Sequence, residues 1–293
     1  MSDLPSTEGV DLTTHEIDRV STDRCVHLLI DAQLAAVDAV LDAREPIARA
    51  VDVVVAALQA GRRVVVLGAG TSGRLAVLDA SELPPTFGFD PERYQGRIAG
   101  GDAALRRSVE GAEDDADAGA ASVADLAAGD VLIGVSASGG PAYVRAAIDA
   151  ARARGVRTIA VVNARESALA RAAEIAIEAI TGAEPIAGST RMRAGTAQKI
   201  VLNTISTAAM IALGKTYRNR MVDVVASNAK LRARAERLVR EIAGDVDAPA
   251  LLAAAGGSAK TAIVMARRRV DRAGAEGLLA GAGGRLGDVI GDA

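Results

Sequence analysis

The sequence predicts an α/β fold: a parallel β-sheet flanked by helices on both faces, preceded by N-terminal helices and followed by a small helical unit. Three observations support it. Strand-like apolar runs alternate with helical patterns between residues 64 and 180. The first run, Val64-Val65-Val66-Leu67, is continuously apolar rather than alternating, as in a strand buried on both faces. Loops rich in glycine and serine follow two of the strands, where ligands gather in parallel sheets.

The 293 residues suffice for one large α/β domain and a smaller unit. From Thr14 to Ala60 apolar residues recur at helical spacing (Val26, Leu29, Ile30, Leu34, Val37, Leu41), with Pro46 read as a break. Strands are expected at Val64 to Leu67, Arg97 to Ala99, Val131 to Val135, Thr158 to Val162 and Ile175 to Ile180. Helices are expected at Gly73 to Glu82, Ala103 to Leu126, Tyr143 to Arg154 and Ala168 to Ala173. The apolar run from Ile200 to Gly214, interrupted by Asn203, is shorter than the roughly twenty residues of a membrane span and reads as a buried helix. Beyond Lys215 the chain turns Arg- and Ala-rich, which divides it into a domain of residues 1–226 and a helical unit of residues 227–293, beginning near Ser227. Short helical patterns follow at Ala248 to Ala254, Ser258 to Arg268 and Ala275 to Leu279.

Composition narrows the function. The net charge is -3 and the basic residues are dispersed, so no nucleic-acid footprint is expected, while a small anion needs only a few local donors. Aromatic residues make up 2% and Trp is absent, so the core is built from Ala, Val, Leu and Ile. Cys25 stands alone and allows no internal disulfide, and the N-terminus lacks the apolar centre of a signal peptide; a cytoplasmic protein without a membrane partner is expected. His15 and His27 form no ligand pattern, and His27, between Val26 and Leu28, reads as a packed histidine.

Gly68-Ala69-Gly70-Thr71-Ser72-Gly73 fits the G-x-G-x-x-G pattern of dinucleotide sites. Such a site also requires an acidic residue at the end of the second strand, for the ribose. Here that strand ends in Gly100-Gly101, and Asp102 reads as a cap for the next helix. What the loop does offer is the hydroxyls of Thr71 and Ser72 beside free N–H groups at a helix N-terminus, a combination suited to a phosphate or a sugar hydroxyl. Ser136-Ala137-Ser138-Gly139 repeats the arrangement after another strand. Two hydroxyl-rich turns on one sheet edge fit a phosphorylated polyol better than a pyrophosphate.

Four stretches are more specific: "GAGTSGRL" with "LDASELPPTFG", "VEGAEDD", "GSTRMRAGTAQKIVLNTIST" and "MVDVVASNAKL". With "STEG" and "EIDRVST" near the N-terminus, they closely resemble the N-acetylmuramic acid 6-phosphate etherases, a family of the sugar isomerase (SIS) domain group. The resemblance implies an SIS-type sheet, a C-terminal unit like a ubiquitin-associated (UBA) domain, and a homodimer. It also implies cleavage of the ether between D-lactate and C3 of the amino sugar, yielding N-acetylglucosamine 6-phosphate. The plausible route opens the ring, removes the C2 proton, expels lactate and adds water, and so calls for two proton-transfer groups and no cofactor or metal. By motif Glu82 matches the family's proton donor and Glu113 its second catalytic acid. From the residues alone Glu110, Glu113, Asp114 and Asp115 compete for that second role, with Glu110 placed on the same helix face as a substrate contact. Ser72, Ser136 and Ser138 match SIS ligand positions, and Ser189, Thr190 and Arg191 offer further donors. The family usually reads Ser-Gly-Arg-Thr-Pro where this chain has Ser138-Gly139-Gly140-Pro141-Ala142, which predicts rearranged phosphate contacts. Two rival functions remain, a non-catalytic sugar-phosphate sensor of the glucokinase-regulatory-protein type and a sugar-phosphate isomerase.

Overall fold

The computed structural model describes residues 6–223 and 229–291, so the expected boundary at Ser227 lies outside the described residues. The chain divides into two compact units, Met1–Ser81 with Glu92–Ser206, and Glu82–Pro91 with Thr207–Ala293.

The first unit opens with helices α1 (Thr22–Asp31), α2 (Leu34–Asp42) and α3 (Arg44–Gln59). Pro46 does not break α3; it sits in the first turn, where a missing N–H leaves no helix bond unmade. Next come β1 (Val64–Gly68), α4 (Gly70–Phe87), which runs on into the second unit, and β2 (Tyr94–Ile98). Then follow α5 (Ala103–Arg106), α6 (Ala116–Ala121), β3 (Val131–Ser136), α7 (Ala142–Arg152), β4 (Arg157–Val162), α8 (Ala168–Ala172), β5 (Ile175–Glu178) and α9 (Arg193–Ala212). The strands form one parallel sheet in the order β2-β1-β3-β4-β5. The connection from β2 to β3 therefore crosses β1, and a crevice opens beyond the carboxyl ends of β1 and β3, where strand order reverses.

Both faces of the sheet are covered. Val65, Leu67, Leu132, Ala160 and Val162 pack with Val144 and Ile148 of α7. Their alternate neighbours Val64, Val66, Ile133 and Ile159 are equally buried and point to the other face, and α3 packs against β1, β3 and β5.

Several elements depart from expectation. Strand β2 starts at Tyr94, ahead of Arg97, because Gln95 and Gly96 interrupt the apolar signature although they pair with Val65 and Val66. A Cβ on Gly96 would lie 2.5 Å from the Ala76 carbonyl oxygen, so this glycine admits α4 onto the sheet. Helix α4 begins at Gly70 and continues through Pro84 and Pro85, ending where the Gly88 N–H meets the Pro84 carbonyl at 3.0 Å. The single helix expected from Ala103 to Leu126 is two: Arg107 is extended, Gly111 has φ of 72°, and Asp115 starts α6 by accepting the Ala118 N–H at 2.8 Å. Asp102 occupies the N-cap of α5 but makes no capping bond. His27 is exposed, because α1 buries none of its residues.

The second unit contains the hairpin β6 (Thr216–Tyr217) and β7 (Arg220–Met221) and helices α10 (Ala229–Ala243), α11 (Ala248–Ala254), α12 (Ala259–Arg268), α13 (Arg272–Gly281) and α14 (Leu286–Ile290). The hairpin and α14 are too short to leave a periodic signal in the sequence. Val239, Ile263, Leu286 and Val289 join one apolar cluster. Lys260 is buried beside it and donates to the carbonyls of Gly214 (2.9 Å) and Gly284 (3.0 Å) and to Asp223 (2.7 Å). Burial pulls its pKa down against the opposing pull of Asp223. Among the described residues no single helix is long and apolar enough to cross a membrane.

The amino ends of β1 and β3 are joined by Asp130. Its carboxylate accepts from the Arg63 N–H (2.9 Å), the Arg63 guanidinium (2.9 Å) and the Ala127 N–H (3.1 Å). Asp125 bridges Arg97 (2.8 Å) and Arg63 (2.9 Å). The Arg97 hydrogen bond is the main force holding Asp125 at a pKa of about 2. Burial alone would raise Asp130, but its backbone donors and Arg63 bring it below the ordinary value. A lowered folded-state pKa stabilises fully above the unfolded value near 3.9 and is lost as pH falls through the folded value. The melting temperature is therefore predicted to fall between about pH 4 and pH 2, and Asp125→Asn to make that fall shallower; an unchanged profile in the variant would contradict this coupling.

Candidate functional site

The site begins where β1 passes into α4. A Cβ on Gly68 would lie 2.7 Å from the Gly73 nitrogen, and one on Gly73 would lie 2.6 Å from both the Gly68 oxygen and Ile98 Cγ1. Only glycines allow this approach, which sets the first turn of α4 directly on the strand end. Gly70, at φ 52°, turns the chain, and a Cβ there would meet nothing within 4 Å. Thr71 and Ser72 thereby reach the crevice.

The second loop is shaped by its own serines. Ser136 Oγ accepts the Gly139 N–H at 3.0 Å, and Ser138 Oγ accepts the Gly140 N–H at 3.2 Å. Gly139 has φ of 68° and lies against Ser167, leaving no room for a side chain. Between the two loops lies a cavity of about 420 Å³, within the range of small-molecule sites.

Thr71, Ser72, Glu113, Ser136, Ser138 and Thr190 line this cavity. Glu113 is exposed at its edge and is held there through its backbone, because its carbonyl accepts the Tyr143 N–H of α7 at 3.0 Å. Glu110 does not share a helix face with Glu113, since both lie in the loop between α5 and α6; it lines an adjoining lobe of about 160 Å³ that Glu113 also borders. Ser189 and Glu82 line neither space. Glu82 is exposed on α4, twelve residues past Gly70, and at about 1.5 Å per residue lies about 18 Å along that helix.

Hydrogen-bond direction separates the two loops. Ser72 Oγ donates to Gln198 Oε1 at 2.8 Å; Gln198 Nε2 donates to Asn163 Oδ1 at 2.9 Å; Asn163 Nδ2 donates to the Ala179 carbonyl at 2.8 Å. All three side chains are buried. With its hydrogen committed inward, Ser72 presents lone pairs to the cavity and suits a sugar hydroxyl. Ser136 and Ser138 already accept backbone N–H groups, so their hydroxyl hydrogens remain available to an anion. The N–H groups of Gly139, Gly140 and Tyr143 are taken, so these three are not open to an anion.

Residues outside the expected set complete the frame. Glu8 and Asp114 line the cavity, and Gln198 and Asn163 fix Ser72. Glu184 is fully buried and accepts the N–H groups of Arg193 (2.8 Å) and Ala194 (2.9 Å), satisfying the start of α9. Burial nevertheless raises its pKa. Arg193 binds Asp11 at 2.8 Å and the Ala32 carbonyl at 2.7 Å, docking the N-terminal segment. Only "STEG" hinted at Glu8; the amides lie at ordinary helix and strand positions and carry no sequence signal.

Two outcomes follow for stability. Gly73→Ala is predicted to lower stability by about 1–3 kcal/mol in urea unfolding, because the new methyl meets backbone. Gln198→Leu removes the acceptor of Ser72 Oγ and the donor to Asn163 Oδ1 and is predicted to cost about 1–3 kcal/mol; wild-type stability in either variant would contradict the geometry.

Comparison with known proteins agrees with this architecture. The glucokinase regulatory protein N-terminal SIS domain family matches residues 46–152, and the SIS domain family matches residues 108–208. An Escherichia coli CFT073 protein solved in complex with A5P shares the fold at a TM-score of 0.50 and 19% identity, covering 68% of this chain and 96% of its own. An N-acetylmuramic acid 6-phosphate etherase from Symbiobacterium thermophilum is 52% identical over 88% of this chain and 87% of its own. Those from Deinococcus radiodurans (47% identical, 100% of this chain, 97% of its own) and Shigella flexneri (44%, 97% of each) match as fully. This chain belongs to the N-acetylmuramic acid 6-phosphate etherase family.

Proposed function

We propose that this protein cleaves the D-lactyl ether of N-acetylmuramate 6-phosphate with water, giving N-acetylglucosamine 6-phosphate and D-lactate in cell-wall amino-sugar recycling. The observation that carries the proposal is the carboxylate of Glu113 at the edge of a hydroxyl-lined cavity, at the switch point of a sheet whose family is that of the etherases.

The chemistry follows from the substrate. In the open-chain aldehyde the C2 hydrogen is acidic. Glu113 takes that proton, the C2 electron pair forms the C2=C3 double bond, and the C3–O bond breaks as a second acid protonates the departing lactate oxygen. Water then adds at C3 and a proton returns to C2, so the two groups exchange roles and no net redox change occurs. Ser136 and Ser138 hold the phosphate, while Thr71, Ser72 and Thr190 contact the sugar.

Glu82 supplies the second acid, and it does so from another copy of the chain, because it lies about 18 Å beyond Gly70 along α4. A homodimer fits the N-terminal helices as well. Val26, Ile30, Leu34, Val37 and Leu41 make an apolar row at helical spacing that the single chain leaves open, with Ile30 68% and Leu34 61% exposed. A cytoplasmic location suits a substrate already phosphorylated. A sensor would need the same hydroxyls but no carboxylate at C2.

Incubation with N-acetylmuramate 6-phosphate in deuterated water is predicted to release D-lactate and place deuterium at C2. Tight binding without lactate would favour a sensor, and deuterium without lactate an isomerase. Glu113→Ala is predicted to abolish C2 exchange, and Glu82→Ala to abolish lactate release while retaining exchange. Mixing the two inactive variants is predicted to restore lactate release through mixed dimers; no recovery on subunit exchange would contradict delivery of Glu82 by a second copy.

A further inference from the structure

The lobe beside the main cavity has a chemistry of its own. It is bounded by Ala69 and Gly70 at the start of α4, by Arg74 one turn further on, and by Ser108, Glu110 and Glu113 of the loop between α5 and α6. Arg74 is the one basic side chain among the residues lining the cavity and this lobe. Its Nε donates to the Leu105 carbonyl at 3.2 Å, which fixes the plane of the guanidinium. Its terminal nitrogens have no protein partner among the described residues, although Glu110 and Glu113 border the same space. An anchored guanidinium edge with open donors matches a carboxylate in geometry and charge.

We infer that this lobe takes the lactyl arm of the substrate and that Arg74 binds its carboxylate. The inference rests on the etherase reading and adds a subsite to it. If Glu113 removes the C2 proton, the substituent on the neighbouring C3 must also lie beside Glu113, and the lobe is the space that adjoins it there. The lactyl carboxylate would otherwise stand among Glu110 and Glu113 with no opposing charge, a costly arrangement near a low-dielectric wall. Arg74 offsets that repulsion and orients the arm, so that the ether oxygen faces the acid which protonates it. The phosphate, at the far end of the sugar, remains with the uncharged donors of Ser136 and Ser138. Arg74 then distinguishes a lactyl ether from a sugar phosphate that has no acidic arm.

The test compares N-acetylmuramate 6-phosphate with its lactyl amide, using the full-length protein and Arg74→Gln, and measures kcat/KM for lactate or lactamide release. Binding of N-acetylglucosamine 6-phosphate, which has no lactyl arm, is measured by calorimetry for both proteins. Arg74→Gln is predicted to lower kcat/KM for the acid by about 10- to 100-fold, to change that for the amide by less than about threefold, and to leave N-acetylglucosamine 6-phosphate affinity unchanged. Equal losses for acid and amide would overturn the inference, because Arg74 would then only be bracing the Leu105 turn. Lost affinity for N-acetylglucosamine 6-phosphate would also overturn it, placing Arg74 on the phosphate or the acetamido group. If the unaltered protein binds N-acetylglucosamine 6-phosphate but cleaves neither ether, the etherase reading itself fails, and the lactyl subsite with it.

Discussion

The contact between Gly68 and Gly73 is the constraint from which the site follows. At 2.6–2.7 Å from a notional Cβ to backbone on either side, it admits no other residue, and it forces α4 to start hard against the end of β1. Thr71 and Ser72 cannot then avoid the crevice that the strand order β2-β1-β3-β4-β5 opens. The same close approach that serves pyrophosphates in dinucleotide folds is combined here with hydroxyls, and β2 runs out into Ala99-Gly100-Gly101 with no acid at the strand end to hold a ribose.

Around this contact, buried polar groups decide what the cavity offers. The Ser72, Gln198 and Asn163 chain carries a hydrogen bond from α4 through α9 to the end of β4, leaving Ser72 as an acceptor. The Ser136 loop works in the opposite sense, using backbone N–H groups to fix two hydroxyls as donors. Glu184 performs the comparable task for α9, whose first N–H groups would otherwise be unsatisfied within the fold. The polarity that Ser72 shows the cavity is thus set by Gln198 and Asn163, neither of which lines it.

Much of this was legible in the sequence, and the exceptions have physical causes. The strand Val64 to Leu67 and both hydroxyl loops stand out because continuous apolar runs and Gly-Ser turns are local signals. The break between α5 and α6 was hidden by the Ala-rich composition, which favours helix throughout, and Gly111 and the Asp115 cap decided otherwise. The distance of Glu82 from the loop is not legible in the motif, which fixes a residue only in sequence, whereas a helix rising about 1.5 Å per residue sets it about 18 Å past Gly70 along α4. Gln198 and Asn163 were invisible because their partners lie far away along the chain. Arg74 stood inside the quoted glycine motif, but its value as a cation depends on which neighbours surround it, and no local pattern contains that.

The central claim is that one cavity, at the carboxyl ends of β1 and β3, holds the sugar phosphate with its C2 beside residue 113. A crystal structure of Glu113→Gln bound to N-acetylmuramate 6-phosphate tests it most directly. The phosphate should lie within hydrogen-bond distance of the Ser136 and Ser138 hydroxyls, with a sugar hydroxyl on Ser72 and C2 facing the side chain at position 113. A ligand bound elsewhere on the chain, or one seated in the cavity with C2 turned away from position 113, would contradict it.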